Sequence, residues 1–365
     1  MGFQVVRFIF FTKTAWAEPP RLRHQLSRLL ADAGHEVVFF ERPAYPWESL
    51  AQNESGHPNI KLTQHHQYLH HKLRIHRALH YLNSIFEKRE ILHCIASLKS
   101  NQSDVIVNFN YDYFFLKDIF PSQKIITIIN DDFWSSSIGG YERPLKLVLT
   151  DTCKKSNVVF TVSQPLASLL KEFCDPQLFY PWADIRYMPP TSATLRNTLL
   201  FWGYINTKID FDYVERIAKS IREHDKKIRI MFVGPVEKAS NNWDILVKDN
   251  PIIYYQSATP IDRLTLDSVF ACFIPYRQTV AEIDAITLPN KALQFLARGI
   301  PLAITGMPDF IEQPFVFRLG RDSDSDLACL REIQDSFYSL QPSIKAFVED
   351  NSAQQRLQTF LDWAE

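Results

Sequence analysis

The chain has 365 residues, 46% of them apolar, and sets 40 Lys and Arg against 41 Asp and Glu for a formal charge of -1. At about 150 residues per domain this is material for roughly two domains with real cores, which excludes disordered and fibrous classes. The balanced charge leaves no global field for nucleic-acid binding, and 10 Gly beside 27 Phe and 21 Pro suit bulky cores better than phosphate-cradling loops; neither a Walker loop nor G-x-G-x-x-G occurs.

Along the chain, short apolar runs alternate with helical-period segments, the pattern of an α/β protein. Val5–Phe11, Glu36–Phe40, Val105–Phe109, Lys124–Ile129 and Val158–Val162 lack strict polar alternation, as strands of a doubly covered parallel sheet should. Helices are expected between them at Arg21–Ala33, Ala78–Leu98, Tyr141–Lys155 and Gln164–Phe173. Pro181 to Thr198, with Pro181, Pro189 and Pro190, reads as a linker. A second series follows, with strands Leu199–Trp202, Ile228–Val233, Ile252–Tyr255, Phe270–Ile274 and Pro301–Ile304. Its helices are Phe211–His224, a stretch near Asn241–Val247, Ile261–Ser268 and Asn290–Arg298, before terminal helices around Pro342–Glu349 and Ala353–Ala364. The expected plan is an acceptor-binding Rossmann-like domain over 1–183, a linker over 184–197, a nucleotide-sugar domain over 198–345, and a C-terminal helix in 346–365 packing back on the first domain. Two doubly wound halves would face one another across a cleft at the carboxyl ends of their strands.

Cys94, Cys153, Cys174, Cys272 and Cys329 are odd in number and never spaced C-x-x-C, so reduced thiols and a cytoplasmic chain are expected. Ala15-Trp16-Ala17 resembles a signal-peptide cleavage site, but Arg7 interrupts the apolar run before it. No stretch approaches the roughly 18 apolar residues of a membrane span. Position 6 is Val6, which excludes myristoylation.

Leu288-Pro289-Asn290-Lys291-Ala292-Leu293-Gln294-Phe295-Leu296-Ala297-Arg298-Gly299-Ile300-Pro301 is the most informative segment. Asn290 can cap a helix whose first turn would meet an anion, and Lys291 there opposes the dipole unless such a ligand neutralises it; an ordinary core helix with a solvated Lys is the plainer reading. The block resembles the P-x-K-x-x-E-x-L-A-x-G-x-P helix of GT-B glycosyltransferases, especially glycosyltransferase family 4. The likeness extends through Leu199–Ile205, Ile209–Asp212, Met231–Pro235, Phe270–Arg277, Asn157–Leu166 and Pro181–Asp184. It implies a metal-independent, cofactor-free hexosyltransferase of polysaccharide biosynthesis, taking a UDP-type nucleotide sugar and glycosylating a surface glycan, lipid-linked saccharide or other glycoconjugate. Alternatives are a nucleotide-sugar epimerase of the same fold and a degenerate binding or scaffold protein. The latter is motivated by Gln294, where the family has a ribose-binding Glu, and by Ile286, where its partner Glu is missing.

The resemblance implies donor contacts at Gly203, Tyr204, Lys208, Gly234, Arg277, Asn290, Lys291 and Gln294, with Glu282 and Asp284 toward the donor sugar. Lys208 and Arg277 would offset the charge of a departing diphosphate. On the acceptor side Asp131 and Asp132 end a buried strand beside Phe133 and Trp134, where a desolvated carboxylate can act as general base or position the sugar; a capping Asp with a solvated neighbour is the alternative. Lys13, Trp16 and Glu18, in the loop after the first strand, and Trp134 complete the expected acceptor rim.

Asp210-Phe211-Asp212 mimics a D-x-D metal motif, but its place at a helix start suggests capping. The Asp322–Asp326 run lacks the Gly and Glu of a calcium loop, having Leu327 and Ile333 there. His66/His70 and His76/His80 have zinc spacing without the H-E-x-x-H glutamate. With Lys72, Arg74 and Arg77, segment 64–80 reads as a basic amphipathic helix that rests peripherally on an anionic membrane, or as a solvated face.

Overall fold

The apolar runs form two all-parallel sheets, and the reason is local: Val105–Asn108, Val158–Thr161, Val269–Pro275 and Leu302–Thr305 are buried along their whole length, which only helices on both faces can achieve. The computed structural model describes residues 5–18, 21–50, 53–69, 76–96, 103–131, 142–183, 185–191, 195–225, 227–237, 241–278, 283 and 286–364. Residues Met1–Tyr180 with Gln354–Glu365 make one compact unit and Pro181–Ala353 the other.

In the first unit β1 (Arg7–Phe11), β2 (Glu36–Phe40), β3 (Ile60–Thr63), β4 (Val105–Asn108), β5 (Lys124–Ile129), β6 (Val158–Thr161) and β7 (Gln177–Leu178) lie in the order β3-β2-β1-β4-β5-β6-β7. The order reverses between β1 and β4, which makes a topological switch point there. Helices α1 (Leu22–Asp32), α2 (Arg77–Ala96), α3 (Leu116–Ile119), α4 (Glu142–Lys154) and α5 (Gln164–Leu170) connect the strands. Register pairs Phe10 with Phe39 and Phe11 with Phe40, so their rings stack at 6.1 and 4.6 Å across the sheet.

The second unit has β8 (Thr198–Trp202), β9 (Arg229–Val233), β10 (Ile253–Gln256), β11 (Val269–Pro275), β12 (Leu302–Thr305) and β13 (Val316–Arg318) in the order β10-β9-β8-β11-β12-β13. Around them run α6 (Phe211–His224), α7 (Asn241–Asp249), α8 (Asn290–Leu296), α9 (Ser323–Ser336) and α10 (Gln341–Asp350). The last helix, α11 (Ala353–Ala364), adds Phe360 to the first unit's core, its ring 5.9 Å from Phe8, 5.9 Å from Phe179 and 6.2 Å from Phe160.

Several expectations are corrected. The helix expected over Ile261–Ser268 is one 3-10 turn, Ile261–Arg263, because Leu264 is already extended. The Asp run continues into the unexpected α9, whose N-cap Asp322 accepts from the amides of Asp324 and Ser325. Segment 64–80 is not one helix: backbone bonds from Ala44 N to the His65 carbonyl (2.9 Å) and from Gln67 N to the Ala44 carbonyl (2.8 Å) keep 65–67 beside the chain that follows β2. Residues 70–75, with His70, Lys72 and Arg74, lie outside the described residues, and helix begins at Arg77. No helix among the described residues is long and apolar enough to cross a membrane.

Phe360 is fully buried among three aromatic partners on the first unit, Phe8, Phe160 and Phe179. Phe360→Ala should therefore lower the unfolding free energy by about 3–5 kcal/mol, read from urea denaturation; a loss under about 1 kcal/mol would show that α11 is not part of the first unit's cooperative core.

Candidate functional site

In the second unit the carboxyl ends of the central strands approach one another so closely that side chains are excluded. A Cβ on Gly234, just after β9 and at φ 152°, would lie 1.9 Å from the Gly203 carbonyl oxygen, just after β8. A Cβ on Gly306, after β12, would lie 2.1 Å from the Tyr276 carbonyl oxygen. Only glycine fits either position. Over Gly203 stands Lys291, from the first turn of α8: its Nζ is 3.0 Å from where a Gly203 Cβ would be, 4.3 Å from the centroid of Phe201 and 5.0 Å from that of Tyr276. The ammonium donates to the Tyr276 hydroxyl at 2.8 Å, and among the described residues no carboxylate pairs with it. A cation held by two aromatic faces over a bare backbone can accept an anion without first breaking an ion pair.

The other expected donor residues take different positions. Asn290 does not cap: Pro289 is the N-cap and no side chain caps the helix, since the extended backbone of Pro289 (φ -76°, ψ 148°) leads into its first turn. Lys208 and Arg277 are brought side by side, the Arg277 amide bonding the Lys208 carbonyl at 2.9 Å, and Arg277 leans toward Asp212 at 3.8 Å. Tyr204 is exposed. Gln294 Oε1 accepts from Arg298 Nη1 at 3.1 Å, while Arg298 Nη2 binds Asp262. A guanidinium only donates, so the amide must turn its oxygen to Arg298 and leave Nε2 facing away. Asp210 accepts from the Tyr213 amide at 3.0 Å, the capping role its position suggested. Glu282 and Asp284 lie outside the described residues.

In the first unit, Lys13 binds both oxygens of buried Asp112 at 2.5 and 2.6 Å, between the rings of Tyr111 and Tyr113. Trp16 is turned inward, its amide donating to Glu41 at 2.6 Å and its ring 5.0 Å from Phe39. Glu18 accepts from the Ala15 amide at 3.2 Å and pairs with Arg21 at 3.3 Å. Asp131 is exposed, accepting from Asn130 Nδ2 at 2.9 Å, so it lacks the desolvation expected of it; the chain leaves β5 two residues earlier and carries the carboxylate into solvent. Asp132 and Trp134 lie outside the described residues.

Phe201, Tyr276 and Gly306 were missed by sequence reasoning, although each is the last residue of a strand or within one or two of it, the position where ligands of parallel sheets bind. His24 was missed too. It accepts from the Arg21 amide at Nδ1 (3.1 Å) and donates from Nε2 to the Ala15 carbonyl (3.2 Å), tying the loop after β1 to α1. Burial, with Arg23 and Arg28 nearby, pushes its pKa down to about 4.

No protein-family model matches the sequence, and no curated protein matches it. Solved structures do match. A glycosyltransferase from Rickettsia africae superposes with TM-score 0.68 at 10% identity, covering 99% of this chain and 98% of that one. Anabaena HepE, solved with UDP, gives 0.65 at 10% identity over 98% and 99%. An α,α-trehalose-phosphate synthase (UDP-forming) from Burkholderia vietnamiensis gives 0.65 at 10% identity over 98% and 96%.

His24 makes stability depend on pH. The unfolded chain takes up the His24 proton near pH 6.5 and the folded one only near 4, so stability should fall as the pH drops through that window and level off below it. His24→Gln should flatten this part of a melting-temperature profile; an unchanged slope would refute the assignment. The two sheets, their strand orders and the whole-chain superpositions together give this chain the GT-B fold.

Proposed function

We propose that the chain is a glycosyltransferase that moves a sugar from a nucleoside-diphosphate donor of the UDP type to a hydroxyl of a glycan or glycoconjugate. The observation that carries this reading is Lys291: an ammonium without a carboxylate partner among the described residues, held over Gly203 at the carboxyl ends of the second unit's strands. The GT-B fold, and the UDP in HepE, support it. The leaving diphosphate gains negative charge as the glycosidic bond breaks, and Lys291 with Lys208 and Arg277 would offset it without a metal. Gln294 would meet the ribose with its Nε2 donor, Glu282 and Asp284 the donor sugar. Asp131 or Asp132 would take the acceptor proton in an inverting reaction or position the sugar in a retaining one.

Calorimetry with UDP, GDP, ADP and TDP tests the reading. One of them should bind, and Lys291→Met should weaken it by about tenfold or more, as loss of a charge-assisted hydrogen bond implies. Binding of none would refute the transferase and the epimerase alike. Where one binds, its sugar conjugates, incubated with and without acceptor mixtures, separate transfer from epimerisation.

The same reading places a membrane-facing surface on α2, in place of segment 64–80. The first half of this helix is inverted: it buries His80, Asn83, Ser84 and Glu87, before Ile91 and Ile95 rejoin the core, and the helix exposes Tyr81, Leu82, Ile85, Phe86 and Leu92, with Ile85 61% exposed. Its exposed charged groups are Arg77, which pairs with Asp151 at 2.6 Å, Arg89 and His93, while Glu90 is half-buried. An apolar face whose exposed charges are basic complements an anionic bilayer. The protein should pellet with phosphatidylcholine vesicles containing about 30% phosphatidylglycerol at low salt and less so at high salt. Ile85→Glu with Arg89→Glu should abolish this without changing the melting temperature. Wild-type pelleting by the variant, or a dimer that the variant breaks, would refute the membrane as the partner.

A further inference from the structure

Arg23 is unsatisfied where it stands. It occupies the second position of α1 and is 7% exposed, its guanidinium 5.6 Å from the centroid of the Phe109 ring. Its Nε is sealed from solvent without a partner, and no described residue accepts a hydrogen bond from its guanidinium. Burial lowers its pKa only to about 10, so the group is charged at neutral pH. The carboxylates in Coulombic range, Asp131 and Glu18, do not bond it: Asp131 accepts from Asn130, and Glu18 serves Ala15 and Arg21. Lys13, in the loop between β1 and α1, is paired with Asp112. A buried charge whose Nε finds no acceptor among the described residues is costly unless a ligand supplies one.

The place is as telling as the group. Phe109 immediately follows β4, Asp131 follows β5, and α1 follows the loop from β1, so Arg23 lies at the carboxyl ends of the strands around the β1–β4 switch point. The eleven-residue α1 has no acidic residue within its first turn, and although Glu18 pairs with Arg21 just before it, Arg23 adds its own charge to the positive end of the dipole. Arginine's planar fork matches a tetrahedral oxyanion at two oxygens.

We infer that Arg23 and the first turn of α1 form an oxyanion subsite in the first unit, which takes a phosphate group of the ligand bound there. The site stands on the first unit's geometry; that its ligand is the acceptor rests on the proposed transferase function, and then the acceptor is phosphorylated. A sugar phosphate and an isoprenyl phosphate share this chemistry.

The experiment titrates inorganic phosphate, glucose 6-phosphate and farnesyl phosphate, with glucose and farnesol as controls, into wild type, Arg23→Met, Arg23→Gln and Lys291→Met. At least one phosphate should bind wild type and Lys291→Met alike and both Arg23 variants about tenfold or more weaker, while its phosphate-free control binds to none. Which organic phosphate binds tighter identifies the source. Removing an uncompensated buried charge should leave Arg23→Met melting at or above wild type. Undiminished phosphate binding by the Arg23 variants, or binding that Lys291→Met removes, overturns the subsite. So does a fall of more than about 5 °C in the melting temperature of Arg23→Met, because Arg23 is then a structural residue. UDP binding by the Arg23 variants reports on the second unit and separates failure here from failure of the transferase reading.

Discussion

A parallel sheet covered on both faces has only its strand ends left for chemistry, and both halves of this chain are built under that constraint. Helices consume the faces: β11 and β12 are buried from end to end. What remains is the rim where strands turn into helices, and the backbone crowds there. Gly234 and Gly306 meet that crowding, each where a Cβ would collide with a neighbouring carbonyl, in a chain that uses only 10 glycines.

The two rims solve the problem of charge differently. In the second unit Lys291 is cushioned by Phe201 and Tyr276, so its charge is stabilised by π faces and stays available. In the first unit Lys13 is cancelled by Asp112 while Arg23 is left over, buried above Phe109. The Gln294–Arg298–Asp262 chain is a third arrangement. There the guanidinium is satisfied on both sides and fixes which end of the amide faces outward.

Where burial is two-sided, the sequence is a direct guide: Glu36–Phe40 and Lys124–Ile129 run as expected to the residue, because their composition admits no other environment. It is a poor guide at edges. The short strands Ile60–Thr63, Gln177–Leu178 and Val316–Arg318 are partly exposed and carry mixed residues, so periodicity does not mark them. It misleads where tertiary bonds override local pattern, as at 65–67, which Ala44 holds extended, and in α2, whose polar residues face inward. Among candidate site residues, Lys291 and Gly203 were legible because the resemblance names their positions. Tyr276, Arg23 and His24 were not, because their importance lies in what surrounds them: a hydroxyl beside an ammonium, a missing acceptor, a carbonyl across a loop.

The route of the chain orders its assembly in time. Residues 1–180 leave the ribosome with Phe8, Phe160 and Phe179 lacking the ring that covers them, since Phe360 is supplied from 354–365. The whole second unit is synthesised in between, so the first-born core carries an open aromatic face through about half of translation.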